Sequence, residues 1–152
     1  MLTIPTIDFD AILQTLSEAT SAYYDAGIDP LTELPGRKVW ETERRKPTTA
    51  RYLLYLDLDG LKAVNDTHGH AMGDEYLRAA ATNLKAQFKR SADAIFHPHG
   101  DEFIILTDHV PDPADFPEFS IGCVEIVDGD IAQAVIAADA VMYQAKRAKK
   151  NR

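Results

Sequence analysis

At 152 residues, 45% hydrophobic and 26% charged, the chain has the size and balance of one soluble globular domain with a substantial core. Its net charge of −8 argues against a nucleic-acid backbone as the main partner, so an anionic nucleotide would have to bind through metal ions and local basic groups. A single cysteine, Cys123, excludes an intramolecular disulfide and fits a reducing cytoplasm; the start MLTIPTIDFD lacks the basic flank of a signal peptide, and no apolar run has the length of a membrane span.

In chain order, residues 8–25 read as a helix capped by Asp8, with Phe9, Ile12, Leu13, Leu16 and Ala19 as its apolar stripe. Gly27 ends it and Asp29-Pro30 opens a turn. A short helix is expected at 37–44, stopped by Pro47. The run RYLLYLDLD at 51–59 reads as a buried strand. A helix over 73–89 follows, with Leu77, Ala81, Leu84 and Phe88 on one face. Two strands, 94–97 and 102–107, are joined by a tight turn at Pro98–Asp101. A strand at 119–127 leads through Gly129-Asp130 into a last helix that buries Ile131, Val135, Ala138 and Met142.

Charge is unevenly spread. Residues 101–130 carry nine acids and no lysine or arginine, whereas residues 146–152 carry five basic groups. The basic end fits either a solvated helix terminus or phosphate contact. Asp57 and Asp59, two apart on a strand, are expected on one face. Two unpaired buried charges would cost several kcal/mol, so this pair reads as a site or a solvated strand end. Asp101 and Glu102 add acids at a turn between apolar strands. Hard oxygen donors of this kind suit magnesium or manganese. Two such ions can activate a hydroxyl nucleophile and stabilise a leaving pyrophosphate. Between the clusters, the segment from Lys62 to Asp74 offers Lys62, Asn65, Asp66, His68, His70, Gly69 and Gly73 ahead of a helix. Helix N-termini accept anions, and an Asn/Asp pair can read a base edge. The cysteine and histidine spacing of a zinc site is missing.

Five segments in order then carry a family resemblance. Asp29-Pro30-Leu31-Thr32-Glu33-Leu34-Pro35-Gly36-Arg37 resembles the opening motif DxLTGLxNR, and Asp57 through Asp74 resembles DxDxFKxxND…GHxxGD. His99-Gly100-Asp101-Glu102-Phe103 stands at GGDEF, Ser120-Ile121-Gly122 at SIG, and Ala138 through Lys146 at ADxAxYxAK. Over residues 29–152 the chain resembles a GGDEF domain, the catalytic domain of bacterial diguanylate cyclases. Residues 1–28 would be a separate helical lead-in. The resemblance implies a palm-like α/β sandwich with a mostly antiparallel sheet flanked by helices. It implies that Asp57, the Leu58 carbonyl, Asp101 and Glu102 hold Mg2+ or Mn2+, with Asp101, Glu102 and Lys62 serving catalysis. Asn65 and Asp74 would read guanine beside His70, and His99 and Gly100 would border the substrate. Lys146 and Lys150 would contact phosphate. Arg90-Ser91-Ala92-Asp93 resembles the RxxD product-inhibition site; an i,i+3 pair or a helix cap accounts for the same pattern.

Three departures stand out. His99 replaces the first glycine of the motif, where a positive φ or a close ligand is expected. Its ring would obstruct substrate or donate to phosphate. The segment 108–118, with Pro111, Pro113 and Pro117, is too short and proline-rich for the family's helix, so part of the sheet needs another cover: the first helix, a dimer partner or another protein. Glu33 and Gly36 replace a glycine and an asparagine of the opening motif. The resemblance implies condensation of two GTP into cyclic di-GMP by a cytoplasmic homodimer, with no nucleic-acid or membrane partner. Two readings stay open beside it: a domain that binds GTP or cyclic di-GMP and signals without turnover, and a cyclase for another dinucleotide.

Overall fold

A computed structural model describes residues 3–152. The elements are α1 (Phe9–Ala26), α2 (Arg37–Glu43), β1 (Tyr52–Leu58), α3 (Leu61–His68), α4 (His70–Gln87), β2 (Ala94–His99), β3 (Glu102–Thr107), β4 (Phe119–Glu125) and α5 (Ile131–Lys150). The four strands form one antiparallel sheet in the order β2-β3-β1-β4. β1 lies centrally because its side chains are apolar on both faces. Leu54, Leu56 and Leu58 meet Leu77, Ala81 and Leu84 of α4 on one face, whereas Leu53 meets Trp40 of α2 and Ile131, Ala134 and Ala138 of α5 on the other. The result is the expected α/β sandwich, a sheet between two helical layers. Among the described residues no helix is long and apolar enough to cross a membrane.

Several boundaries and faces differ from the sequence expectation. Residues 61–68, read above only as a polar segment before a helix, are a helix of their own, separated from α4 by Gly69 at φ 88. A polar eight-residue helix with few apolar positions leaves little periodicity to detect. In α5 Ala134 is buried as well, where a small side chain fits close to the sheet, and Val135 packs against the core only partly buried. α1 buries none of its residues, and Phe9, Leu13, Leu16 and Tyr24 all stand out from the domain.

The shortened 108–118 segment supplies part of its own cover. A single 3-10 turn at Pro113–Asp115 drops Phe116 into the core, stacked on Phe88 at 5.6 Å between ring centroids. Phe88 also stacks on His109. Tyr52, Ile121 and Cys123 on the same sheet face remain only partly buried. One departure in the opening motif has a backbone consequence: Glu33 is held at φ 59, a left-handed conformation that favours glycine. Glu33→Gly is therefore expected to stabilise the fold by about 0.5–1 kcal/mol, read as a higher denaturant midpoint at unchanged m-value.

Candidate active site

The site forms where β1 ends beside the β2–β3 hairpin. In register, Asp57 of β1 pairs with Glu102 of β3 and with Ser120 of β4. The backbone N–H of Leu58 donates to the carbonyl of Asp101 at 2.7 Å, which holds the turn over the strand end. Asp57, Asp101 and Glu102 each offer a carboxylate oxygen, and the three oxygens lie within 4.8 Å of one another. Of the three, Asp57 is buried, at 5% exposure. Burial pushes its carboxyl upward; the Lys146 ammonium, bonded at 3.0 Å, opposes this, and the charges of Asp101 and Glu102 add to the rise. Lys146 is in turn drawn up: burial lowers it, but the bond to Asp57 and the nearby acids outweigh that. This crowd of carboxylates, with one ammonium, is an arrangement that a hard divalent cation relieves.

Glu102 is held from the side. The Tyr55 hydroxyl donates to its Oε2 at 2.7 Å, and His99 Nε2 stands 3.4 Å from the same oxygen. Burial and the bond to Glu102 push the Tyr55 phenol well above its ordinary range, so it stays a donor. Tyr55 shares strand parity with Asp57, two residues before it, and that alternation could have marked it.

His99 closes β2 and does not take the positive φ of the turn; Gly100 does, at φ 56. The motif's backbone requirement therefore falls on the glycine that is present. The His99 side chain is 61% exposed, beside the carboxylate cluster.

Asp59 follows the last residue of β1, and its partners lie on the side of Asp57: Ser120, which pairs with Asp57 across the sheet, and α5, which also carries Lys146. The Asp59 carboxylate accepts from Ser120 Oγ at 2.7 Å and from Lys149 Nζ at 2.6 Å. Lys149 also donates to the carbonyls of Pro117 and Phe119, tying α5 to the shortened segment. Nothing in the local sequence singles out Lys149 from its basic neighbours.

The other candidates lie further along the chain. Lys62 is exposed in the first turn of α3, and His70 and Asp74 are exposed in the first turns of α4. Asn65 lies against Gly73: a Cβ on that glycine would stand 1.7 Å from Asn65 Oδ1. Asn65 is thus placed one residue from Asp74. Lys150 ends α5, exposed. Arg90 and Asp93 stand apart from the acid cluster in a tight turn. The Asp93 carboxylate accepts from the Arg90 backbone N–H at 3.1 Å and from Thr107 Oγ1 at 2.7 Å, so its oxygens already serve the turn.

Comparison with known proteins identifies the family. The family described as "Diguanylate cyclase, GGDEF domain" matches residues 26–118. Diguanylate cyclase DgcZ of Escherichia coli K12 is 38% identical over 112 residues, covering 64% of this chain and 38% of that protein. The probable diguanylate cyclase DgcI of the same strain is 36% identical over 87 residues, covering 57% of this chain and 20% of that protein. The chain thus spans well under half the length of these relatives. Among solved structures, diguanylate cyclase SiaD of Pseudomonas aeruginosa, in complex with its activator SiaC, matches at TM-score 0.69 and 27% identity. That match covers 91% of this chain and 65% of SiaD. A microbial GGDEF domain solved with cyclic di-GMP matches at TM-score 0.65 and 29% identity, covering 80% of this chain and 93% of that one. With the matched segment spanning more than half its length, this chain belongs to the GGDEF domain family.

Proposed function

We propose that this domain is a diguanylate cyclase, condensing two GTP into cyclic di-GMP with release of two pyrophosphates. The observation that carries the reading is the convergence of Asp57, Asp101 and Glu102 within 4.8 Å at the end of β1. Asp57, the Leu58 carbonyl, Asp101 and Glu102 would hold Mg2+ or Mn2+, which when bound neutralises triphosphate charge and makes a hydroxyl a better nucleophile. In each of two steps a ribose 3′-hydroxyl gives up its proton to solvent, its oxygen bonds to an α-phosphorus, the phosphoanhydride bond to the β-phosphate breaks, and pyrophosphate leaves with its electron pair.

The chain's own groups divide the remaining work. Tyr55 orients the Glu102 carboxylate. Lys62 on α3, and Lys146 and Lys150 on α5, would meet phosphate charge. Asn65 and Asp74 would read guanine: an aspartate accepts from its N1–H and amino group, an edge that adenine does not present. His99, standing out beside Glu102, would border the phosphates without filling the turn. Cyclisation needs two GTP-loaded domains facing each other. The stripe of α1 stays exposed among the described residues, which supports a homodimer formed through that helix. The partly buried sheet face at Tyr52, Ile121 and Cys123 is where a protein partner would add cover.

The test is product analysis by chromatography with Mg2+ at high protein concentration, from GTP alone and from a GTP/ATP mixture. Cyclic di-GMP from both supports the reading. Tight binding of GTP or cyclic di-GMP without turnover would instead identify a signalling module, and a mixed product a different cyclase.

Two further results are expected. Gly73→Ala forces Asn65 to rotate away, because the new Cβ meets the end of that side chain. GTP affinity should fall about tenfold with stability nearly unchanged, as for a lost hydrogen bond to the base; parallel calorimetry and thermal melts check this. Metal affinity should also depend on pH. The raised Asp57 carboxyl means that a cation competes with a proton there, so affinity rises with pH and falls as pH drops toward the carboxylate range. Mn2+ titrations followed by electron paramagnetic resonance at about pH 5 and about pH 7.5 measure the change.

A further inference from the structure

His97 lies at the irregularity of β2, 8% exposed, its ring stacked on Phe103 at 4.6 Å between centroids. Each ring nitrogen faces an oxygen. Nδ1 is 2.5 Å from Asp29 Oδ2, and Nε2 is 2.8 Å from the carbonyl oxygen of Gly100. A carbonyl oxygen only accepts. Asp29 is also an acceptor. Burial raises its carboxyl, but hydrogen bonds from His97, from Thr32 and from the Leu31 backbone outweigh burial and bring it down to about 2. A neutral imidazole has one N–H, so it can satisfy only one of the two oxygens; the imidazolium satisfies both. With Nε2 unprotonated, its lone pair would face the Gly100 carbonyl at contact distance.

These bonds join two parts of the molecule that matter for activity. Asp29 follows Gly27, the left-handed residue that ends α1. The connection is rigid: Gly36 N–H donates to the Gly27 carbonyl at 2.8 Å, Asp29 N–H to Leu34 at 2.8 Å, and His97 N–H to Pro35 at 2.9 Å. On the far side, Gly100 takes the left-handed conformation immediately before Asp101, whose carbonyl is held by Leu58. A continuous set of bonds therefore runs from the foot of α1 to the acid-bearing turn.

The charged surroundings of His97 are few. The loop after α1 presents Asp29. Arg37 and Lys38 of α2, with His99 of β2, line a cavity of about 350 Å³ that His97 also borders. Lys85 of α4 donates to the Thr32 carbonyl, and the Thr32 hydroxyl donates to Asp29. β3 presents the uncharged ring of Phe103. Asp29 is thus the charged group in direct contact.

We propose that Asp29 and His97 are positioning residues, a proton-held clamp that fixes the Gly100–Asp101 turn to the foot of α1 and releases it when His97 loses a ring proton. The sign follows from the donor count. The charged ring makes both bonds and the neutral ring only one, so the clamp is closed while both ring nitrogens carry protons and opens when one proton is lost. Its effect on turnover rests on the cyclase reading; the clamp itself does not.

The experiment has two arms. In the first, 15N spectra of histidine-labelled protein are recorded from about pH 6 to about pH 9. His97 is expected to carry protons on both ring nitrogens at the acid end, and the Gly100 and Asp101 amide signals to move as one proton is lost. A single neutral tautomer throughout, or amides that do not follow the ring, overturns the proposal. In the second, dinucleotide formation is measured over the same range. Turnover should fall about tenfold on the alkaline side with KM for GTP little changed, the cost of one charge-assisted hydrogen bond. His97→Arg, charged throughout, should keep turnover level across that range, and Asp29→Asn should weaken the pH response. The same alkaline fall in His97→Arg as in the wild type overturns the proposal. If no dinucleotide forms, the cyclase reading fails, and the spectra still decide whether the clamp exists.

Discussion

Asp101→Asn is expected to lower cyclic di-GMP formation by about 10³-fold, on the scale of losing a group that stabilises transition-state charge. The physical reason lies in what the substitution keeps. The turn is fixed by the Asp101 backbone carbonyl, which Leu58 N–H holds at 2.7 Å, and by the left-handed Gly100, so an amide side chain leaves the backbone in place. What is lost is one of the three converging carboxylates and its negative charge. Mn2+ affinity should drop with activity, while the melting temperature should hold or rise, because a like charge near Asp57 has been removed. Loss of activity together with unfolding would point to a structural role. Retained turnover would sink the assignment of Asp101.

The largest effect on stability is expected from Gly122→Ala. Gly122 is buried in β4, where α5 crosses it. A Cβ there would stand 1.9 Å from the Ala138 carbonyl oxygen and 2.5 Å from the Met142 backbone nitrogen. These are helix backbone atoms, so relief requires moving α5 as a body, unlike the Asn65 side chain that yields to Gly73→Ala. The cost should be about 3 kcal/mol. For a domain of this size that is a fall in melting temperature of about 10 °C. Because α5 carries Lys146, bonded to Asp57, and Lys149, bonded to Asp59, the fraction that remains folded should also lose activity. An unchanged melting temperature would show that α5 does not approach β4 this closely.

The layered architecture was legible because burial writes itself into periodicity. The apolar run of β1, the stripes of α4 and α5, and the turn at Gly100 each carry a local signal that the fold bears out. The same local rules are silent where a pattern is weak. The α3 helix escaped because eight mostly polar residues offer little stripe. The backbone part of the question over His99 was out of reach for a comparable reason: sequence shows that a glycine is missing, but not which residue of the turn needs positive φ.

What the sequence determined by itself is the family, the sheet-and-helix order and the acids available to a cation, since each depends on residue type and short spacing. The tertiary structure alone decided which acids converge, that α1 keeps its stripe outside, and that Asp29 meets His97 across 68 residues of chain. Contacts of that separation leave no periodic trace, because chain closure brings together groups whose local sequences have no cause to match.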